Sequence, residues 1–395
     1  MSCLPFWEGF RISRIERQTG ALHLHLEPDA LPICSGCGQV CSRIHEYHSR
    51  RVRDLPILGE SVWLHVTLRR LQCSRCGQRM ERVSWLDRYA RLTSRLAETV
   101  AHWCMRLPIR HVAELFGLHW ETVRQLDQRR LLQQLAALPV AQPRRLVMDE
   151  FSLYKGHRYA TVALDADTRR VLWVGEGRSR EAIRPFFAWL GPARCRQIEA
   201  VAMDMNTAFD LEVQWHCPQA KVVYDLFHVI AKFGREVIDR VRVDEANRQC
   251  HDRPARRVIK QARWLLLRNP ENVKTEAQRV GLQELLSANH ALMTVYVMKA
   301  SLKALWSAST AWDWRRAWKD WLAQARESGI PALIRFANRL SGYWRGIVSR
   351  VRWPMHTGQL EGINNKIKVM KRMAYGYRDS NYFFLKIKVA FPGNP

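Results

Sequence analysis

The alternation of apolar and polar positions changes period several times along the chain, and each change marks an element. Residues 146–151, 159–165 and Val171–Glu176 are short apolar runs separated by turn residues, predicting three strands. The 10–27 stretch predicts a hairpin turning at Thr19 and Gly20, with Leu22, Leu24 and Leu26 on one face. Residues 62–71 predict a further strand. From about residue 93 the period becomes helical: 94–106 is amphipathic, Pro108 opens Ile109–Phe116, and 119–135 follows after Gly117. Helix 179–190 precedes a buried strand at 197–203 and another at Lys221–Tyr224. Residues 229–353 are helix-rich with no convincing strand. Trp314, Trp318 and Trp321 share one helical face there, which reads as core more readily than as a base-stacking surface. A last helix begins at Thr357 or Gly358.

Composition then restricts the partner. Lys and Arg total 63 against 37 Asp and Glu, a formal charge of +26, and this excess calls for a polyanion, most simply nucleic acid. No run of eighteen apolar residues is present, and residues 1–10 lack a signal-peptide pattern, so the expectation is a cytoplasmic protein without a membrane partner. In that compartment ten cysteines read as thiols or metal ligands rather than disulfides.

The cysteines are patterned. Cys34-Ser-Gly-Cys37-Gly-Gln is echoed by Cys73-Ser-Arg-Cys76-Gly-Gln, and two such knuckles make a four-thiolate set suited to one structural zinc in a zinc ribbon. The segment between the knuckles reads as a loop rich in Arg and His. Cys41 has no counterpart in the second knuckle. In the 109–135 region Ala113 and Gly117 suit a close crossing and a tight turn, giving a helix-turn-helix. Its second helix offers His119, Thr122, Arg124, Gln125, Gln128, Arg129 and Arg130 to bases and phosphates.

Three carboxylates carry the candidate chemistry. The first core strand places Asp149 and Glu150 where it should be most buried, and adjacent strand residues face opposite ways, so only one can serve a shared site. A buried carboxylate needs compensation from a metal ion or hydrogen bonds. An Asp on the first strand of a meander, followed by helix and strand, suggests a ribonuclease-H-like core. In that fold Asp204, at the end of the 197–203 strand, meets Asp149. Asp225 and His228 suit either a metal or phosphate contact or a helix cap with a packed imidazole. Glu361, Asn365 and Lys368 recur on one helical face, good for metal and phosphate together.

The doubled knuckle, the helix-turn-helix, the MDE strand, MDM, YDLFH and the LEGINNKIKVMKRMAYGY stretch resemble the ISL-type (L-three) insertion-sequence transposases over nearly the whole chain. The resemblance implies an Asp-Asp-Glu triad at Asp149, Asp204 and Glu361. It also implies a D-x-x-H pair at Asp225 and His228, and a helical insertion between the last two carboxylates. The triad would hold two Mg²⁺ (or Mn²⁺) ions, with Lys366, Lys368, Lys371 and Arg372 on DNA and Asn365 accessory. One departure is Thr357, where some relatives carry Arg. The implied organisation is multidomain α+β: a zinc ribbon at 1–90, a helix-turn-helix at 91–138, a ribonuclease-H-like α/β core at 144–228 and 354–395, and an all-α insertion at 229–353. The implied activity is binding of terminal inverted repeats, metal-dependent cleavage and strand transfer into target DNA by a homodimer on paired ends. A DNA-binding regulator with an inert core, or a nuclease without strand transfer, are the alternatives.

Overall fold

The computed structural model describes residues 6–154 and 156–394; the start of the 1–10 stretch read above lies outside them. The chain forms two compact units. One runs to Ala137 and takes in Val369–Leu385; the other comprises Leu138–Lys368 and the chain from Lys386.

The first unit opens with the expected hairpin, β1 (Phe10–Gln18) against β2 (Ala21–Pro28). Then come β3 (Ile44–Ile57), β4 (Glu60–Cys73) and β5 (Gly77–Met80). β4 is the hub: it pairs parallel with β2 and antiparallel with β3 and β5. Its inward residues Val62, Leu64, Val66 and Leu68 follow a period of two and pack on Leu24, Leu26, Val52, Trp7 and Trp85. β3 corrects the sequence reading, which took this segment for a loop. Only Val52, Arg53 and Asp54 of its fourteen residues are buried, so most of the strand carries no alternating apolar signal and is held by backbone pairing to β4.

Buried Asp54 ties this sheet to the helices that follow. Its carboxylate accepts from Trp7 Nε1 (2.8 Å), Thr93 Oγ1 (2.6 Å), Arg95 Nε (2.8 Å) and the Leu55 N–H (2.8 Å). Thr93 in turn caps helix Ser94–Trp103. Helices Ile109–Phe116 and Trp120–Ala136 complete a small core of Leu96, Val100, Val112, Ala113, Phe116 and Val123. Gly117 joins the last two with φ +57°, a left-handed conformation that lets its N–H and that of Leu118 return to the Glu114 and Ala113 carbonyls.

The second unit holds β6 (Arg145–Tyr154), β7 (Arg158–Asp165), β8 (Val171–Glu176), β9 (Ala200–Met203) and β10 (Lys221–Tyr224), in the order β10-β9-β6-β7-β8. The first three form an antiparallel meander; β9 runs parallel to β6 and β10 parallel to β9. Helices Arg180–Leu190 and Thr207–His216 pack Ile183, Phe186, Phe187, Phe209 and Val213 into the core with Leu146, Met148 and Val201. Among the described residues from Leu226 to Val351 only helical elements occur. Trp314, Trp318 and Trp321 are buried there in a stack with centroids 5.1 and 6.1 Å apart, so they are core as the spacing implied. No helix of the described residues is long and apolar enough to cross a membrane.

Burial alone would raise the Asp54 carboxyl, but Arg95, Thr93, the Leu55 N–H and Trp7 outweigh it and hold it below the ordinary range. A depressed acid contributes stability above its unfolded pKa and loses it as pH falls through the folded value. Asp54→Ala should therefore cost about 3–5 kcal/mol at neutral pH, since it strands Arg95 and buried donors. Denaturant melts of both proteins should show the difference shrinking on acidification below the ordinary carboxylate range; a pH-independent difference would contradict the charged hub.

Candidate functional site

Three groupings of functional side chains stand out, the first two in the first unit. Cys34, Cys37, Cys73 and Cys76 bring their Sγ atoms within 4.8 Å of one another, the donor set of a closed structural zinc site. The knuckle backbone is built for thiolate. N–H groups of Cys37 and Gly36 pull the Cys34 thiol down to about 7, while hydrogen bonding from Cys37 and burial push Cys76 up to about 12. A Cβ on Gly36 would come within 2.9 Å of Cys76 Sγ, which explains glycine inside the first knuckle. Cys41 stays outside the quartet and turns its thiol to the Gln72 carbonyl at 3.4 Å.

On helix Trp120–Ala136 the sequence-predicted base readers separate into two sets. Gln125 and Arg129 are exposed, and Thr122 is half-buried. His119 lies one residue before the helix, where its Nδ1 accepts from the Glu121 N–H at 3.3 Å as the N-cap. Arg124 departs from the expected reading. It donates to Glu121 at 3.2 Å and to Asp379, so its guanidinium is already engaged within this unit. Buried Asp127 takes Arg130 at 3.2 Å and the Tyr382 hydroxyl. The face that reads as a row of cations in sequence is therefore partly internal.

The carboxylates lie in the second unit. β6 and β9 pair in parallel with Leu146 opposite Val201 and Val147 opposite Ala202, so two residues on Asp149, midway along β6, is level with Asp204, which directly follows β9. Asp149 is half-buried: Oδ1 accepts from the Glu150 N–H at 2.8 Å and Oδ2 from Asn364 Nδ2 at 2.9 Å. Burial raises its pKa, and the nearby charges of Asp204 and Glu150 add to that. Glu150 points elsewhere, to Asn206 Nδ2 at 2.6 Å and Arg178 at 3.3 Å. Asp204 is nearly half exposed, with His228 Nδ1 3.4 Å from its Oδ2.

Asp225 resolves the choice left open by sequence in favour of the cap. It begins helix Leu226–Phe233, accepting from Phe227 N–H at 2.9 Å, and its other oxygen accepts from the Thr357 N–H at 2.7 Å and the Thr357 hydroxyl. Glu361 lies in the first turn of helix Gly358–Met373 with an exposed side chain. Among the described residues only the cysteine quartet gathers three or more potential ligands within 4.8 Å, so Asp149, Asp204 and Glu361 are not drawn round one point. Asn365 and Lys368 are exposed beside Glu361, as is Arg372. Lys366 bonds the Ala390 carbonyl at 3.3 Å and sits over the Phe391 ring, a departure from its expected role on DNA. Asn364 was missed by the face assignment. Its signal is that a polar residue occupies the apolar stripe Leu360, Ile363, Ile367.

Comparison with known proteins follows this division. A family model described as a transposase matches residues 146–387. The helix-turn-helix domain of transposase family ISL3 matches 81–131, and the zinc-finger of transposase IS204/IS1001/IS1096/IS1165 matches 30–76. The transposase for insertion sequence element IS1001 of Bordetella parapertussis is 52% identical over 400 residues, covering 100% of this chain and 98% of that protein. The transposase for insertion sequence element IS1557 of Mycobacterium tuberculosis is 28% identical over 373 residues, covering 87% and 82%. These matches define the class, a transposase with a zinc ribbon and a helix-turn-helix. Within it, the chain belongs to the ISL3 family.

Metal analysis of the purified protein should find about one zinc per chain, since four thiolates close a single tetrahedral site. The double variant Cys73→Ser/Cys76→Ser should lose it together with the local fold of the ribbon. Retention of zinc by that variant would place the ion elsewhere.

Proposed function

We propose that this chain binds the terminal inverted repeats of an insertion sequence and cuts and joins DNA with a divalent-metal site built on Asp149, Asp204 and Glu361. The observation that carries the reading is the level placement of Asp149 and Asp204 on neighbouring parallel strands, with Asn364, one turn beyond Glu361, bonded to Asp149. The strand order supports a ribonuclease-H-like core, and the long helical run between Asp204 and Glu361 supports an all-α insertion at 229–353. Residues 1–90 and 91–138 would be the zinc ribbon and helix-turn-helix, and 144–228 with 354–395 the core.

The residues fit hard divalent cations. Asp149 is a half-buried carboxylate whose two donors, an amide and a backbone N–H, are both neutral, and Asn364 Oδ1 is buried with no hydrogen-bond partner among the described residues. Asp149, Asp204 and Glu361 would hold the ions; when bound, two Mg²⁺ or Mn²⁺ activate the attacking oxygen and stabilise the leaving oxygen of a phosphodiester. Asn364 fixes the orientation of the Asp149 carboxylate. His228 sits where it can donate to Asp204 or to a phosphate oxygen. Exposed Lys368 and Arg372 on the same helix supply positive charge for the DNA backbone. The same carboxylates would serve both water attack at a transposon end and attack by the freed 3′ hydroxyl on target DNA, with two chains acting on paired ends.

Asp149→Asn, Asp204→Asn and Glu361→Gln keep size but remove charge. Each should lower cleavage of labelled terminal-repeat DNA by at least about 100-fold, the equivalent of several kcal/mol of lost charge stabilisation, while repeat binding persists. Substantial Mg²⁺-dependent activity in any one variant removes that residue from the triad, and cleaved but never joined product identifies a nuclease.

Recognition has its own test. Gln125→Ala should cost about 1–3 kcal/mol on repeat DNA and relax sequence preference if it reads a base edge, whereas Arg129→Ala should weaken all DNA alike. Competition binding with scrambled repeats distinguishes the two; unchanged affinity and preference in both variants would move recognition off this helix.

A further inference from the structure

The helix bearing Glu361 is anchored by buried polar contacts on either side of that residue. Before it, Thr357 gives both its N–H (2.7 Å) and its hydroxyl to Asp225 Oδ2, and both residues are buried, 5% and 7% exposed. The Thr357 carbonyl then accepts from the N–H groups of Leu360 (2.8 Å) and Glu361 (3.3 Å), so the clamped residue starts the turn that contains Glu361. After it, Asn364 Nδ2 reaches Asp149 Oδ2 at 2.9 Å. Asp225 lies directly after β10 and Asp149 lies in β6, so both anchors belong to the sheet. Burial works against the Asp225 charge, yet Thr357, the Phe227 N–H and His228 hold its carboxyl below the ordinary range.

Resting on the triad reading above, we propose that Asp225 and Asn364 are positioning residues: the Asp225–Thr357 clamp and the Asn364–Asp149 bridge together set where Glu361 stands relative to the two aspartates. A helix held at one end only can pivot; held at Thr357 and again at Asn364 it has a fixed rotation and a fixed height. Asp225 Oδ2 takes two donors and Oδ1 a third, so fixed protein groups already fill most of its acceptor capacity.

The test uses the full-length protein and labelled terminal-repeat DNA, with single-turnover cleavage followed across a Mg²⁺ titration. Asp225→Asn and Thr357→Val should slow cleavage by about 10–100-fold, because small misplacements of a reacting group are costly, without moving the Mg²⁺ concentration for half-maximal rate. Thr357→Ser keeps both donors and should stay near the parent rate. Asn364→Ala frees a ligand carboxylate and should raise the Mg²⁺ requirement by about 10–100-fold. Parent-like cleavage by Thr357→Val, or an Asp225→Asn defect that appears as a raised Mg²⁺ requirement, would overturn the clamp. Amide hydrogen exchange keeps the test independent of catalysis and of any single unfolded variant: Thr357→Val should speed exchange at residues 357–364 and spare β6. Unchanged exchange there overturns the clamp even if the parent cuts no DNA, an outcome that would instead count against the triad.

Discussion

An uncompensated charge at Asp149 is the constraint around which the second unit is arranged. A carboxylate in the middle strand of a five-stranded sheet loses its hydration, and burial pushes its pKa upward. The fold meets part of that cost with two hydrogen bonds, one from the next backbone N–H and one from an asparagine 215 residues away. Reaching that asparagine requires the chain to return after more than a hundred helical residues and to dock a helix on the sheet edge. The clamp at Asp225 does the same task from the neighbouring end of the sheet. Thus the desolvation of one side chain accounts for why the last helix must come back, and for why polar residues interrupt its apolar stripe.

Legibility followed how locally each feature is encoded. The strands from β6 to β10 have short apolar runs between turn residues, and Lys221–Tyr224 and Val171–Glu176 fall where the pattern put them. The doubled C-x-x-C is local chemistry and gathered as its spacing implied. β3 was not legible because its polar sequence is held by pairing with β4, a non-local cause. Arg124 looks like a free cation in sequence, but Asp379, remote in the chain, engages it; Lys366 is exposed as its polar surroundings imply, with the Ala390 carbonyl as an added partner. Asn364 and Asn365 are adjacent, and only the position of the apolar stripe tells which one faces inward.

The cation excess also takes on a different meaning once the fold is known. Many arginines are committed internally: Arg69 to Glu81 at 2.6 Å, Arg95 to Asp54, Arg180 and Arg184 to buried Glu212 at 2.7 and 3.3 Å. The count of 63 basic residues therefore overstates the number of side chains free for phosphate, whereas the long-range field that attracts DNA depends on the net charge of +26 and is retained. Affinity for DNA in general and recognition of particular bases then rest on different residues. The first belongs to the whole basic chain; the second, on the proposed reading, belongs to the few exposed side chains of the Trp120–Ala136 helix.

Comparing the buried carboxylates separates structure from chemistry. Asp54 takes four kinds of donor, Arg95 among them, and Asp225 takes three, and both are held below the ordinary carboxylate range. Such groups are finished: their charge is satisfied by fixed protein atoms and they add rigidity. Asp149 is less enclosed than either, yet with two neutral donors, His228 nearby and two acidic neighbours, its pKa is moved the other way, mainly by burial. A mid-strand carboxylate with only neutral hydrogen-bond donors, level with Asp204 beyond the neighbouring strand, is accounted for on the proposed reading, in which a cation completes it. The same reasoning excludes Glu150, whose partners Arg178 and Asn206 already balance it. On the proposed reading, what sets Asp149 apart is the deficit in its surroundings, against which the two fully satisfied aspartates, Asp54 and Asp225, serve as the comparison.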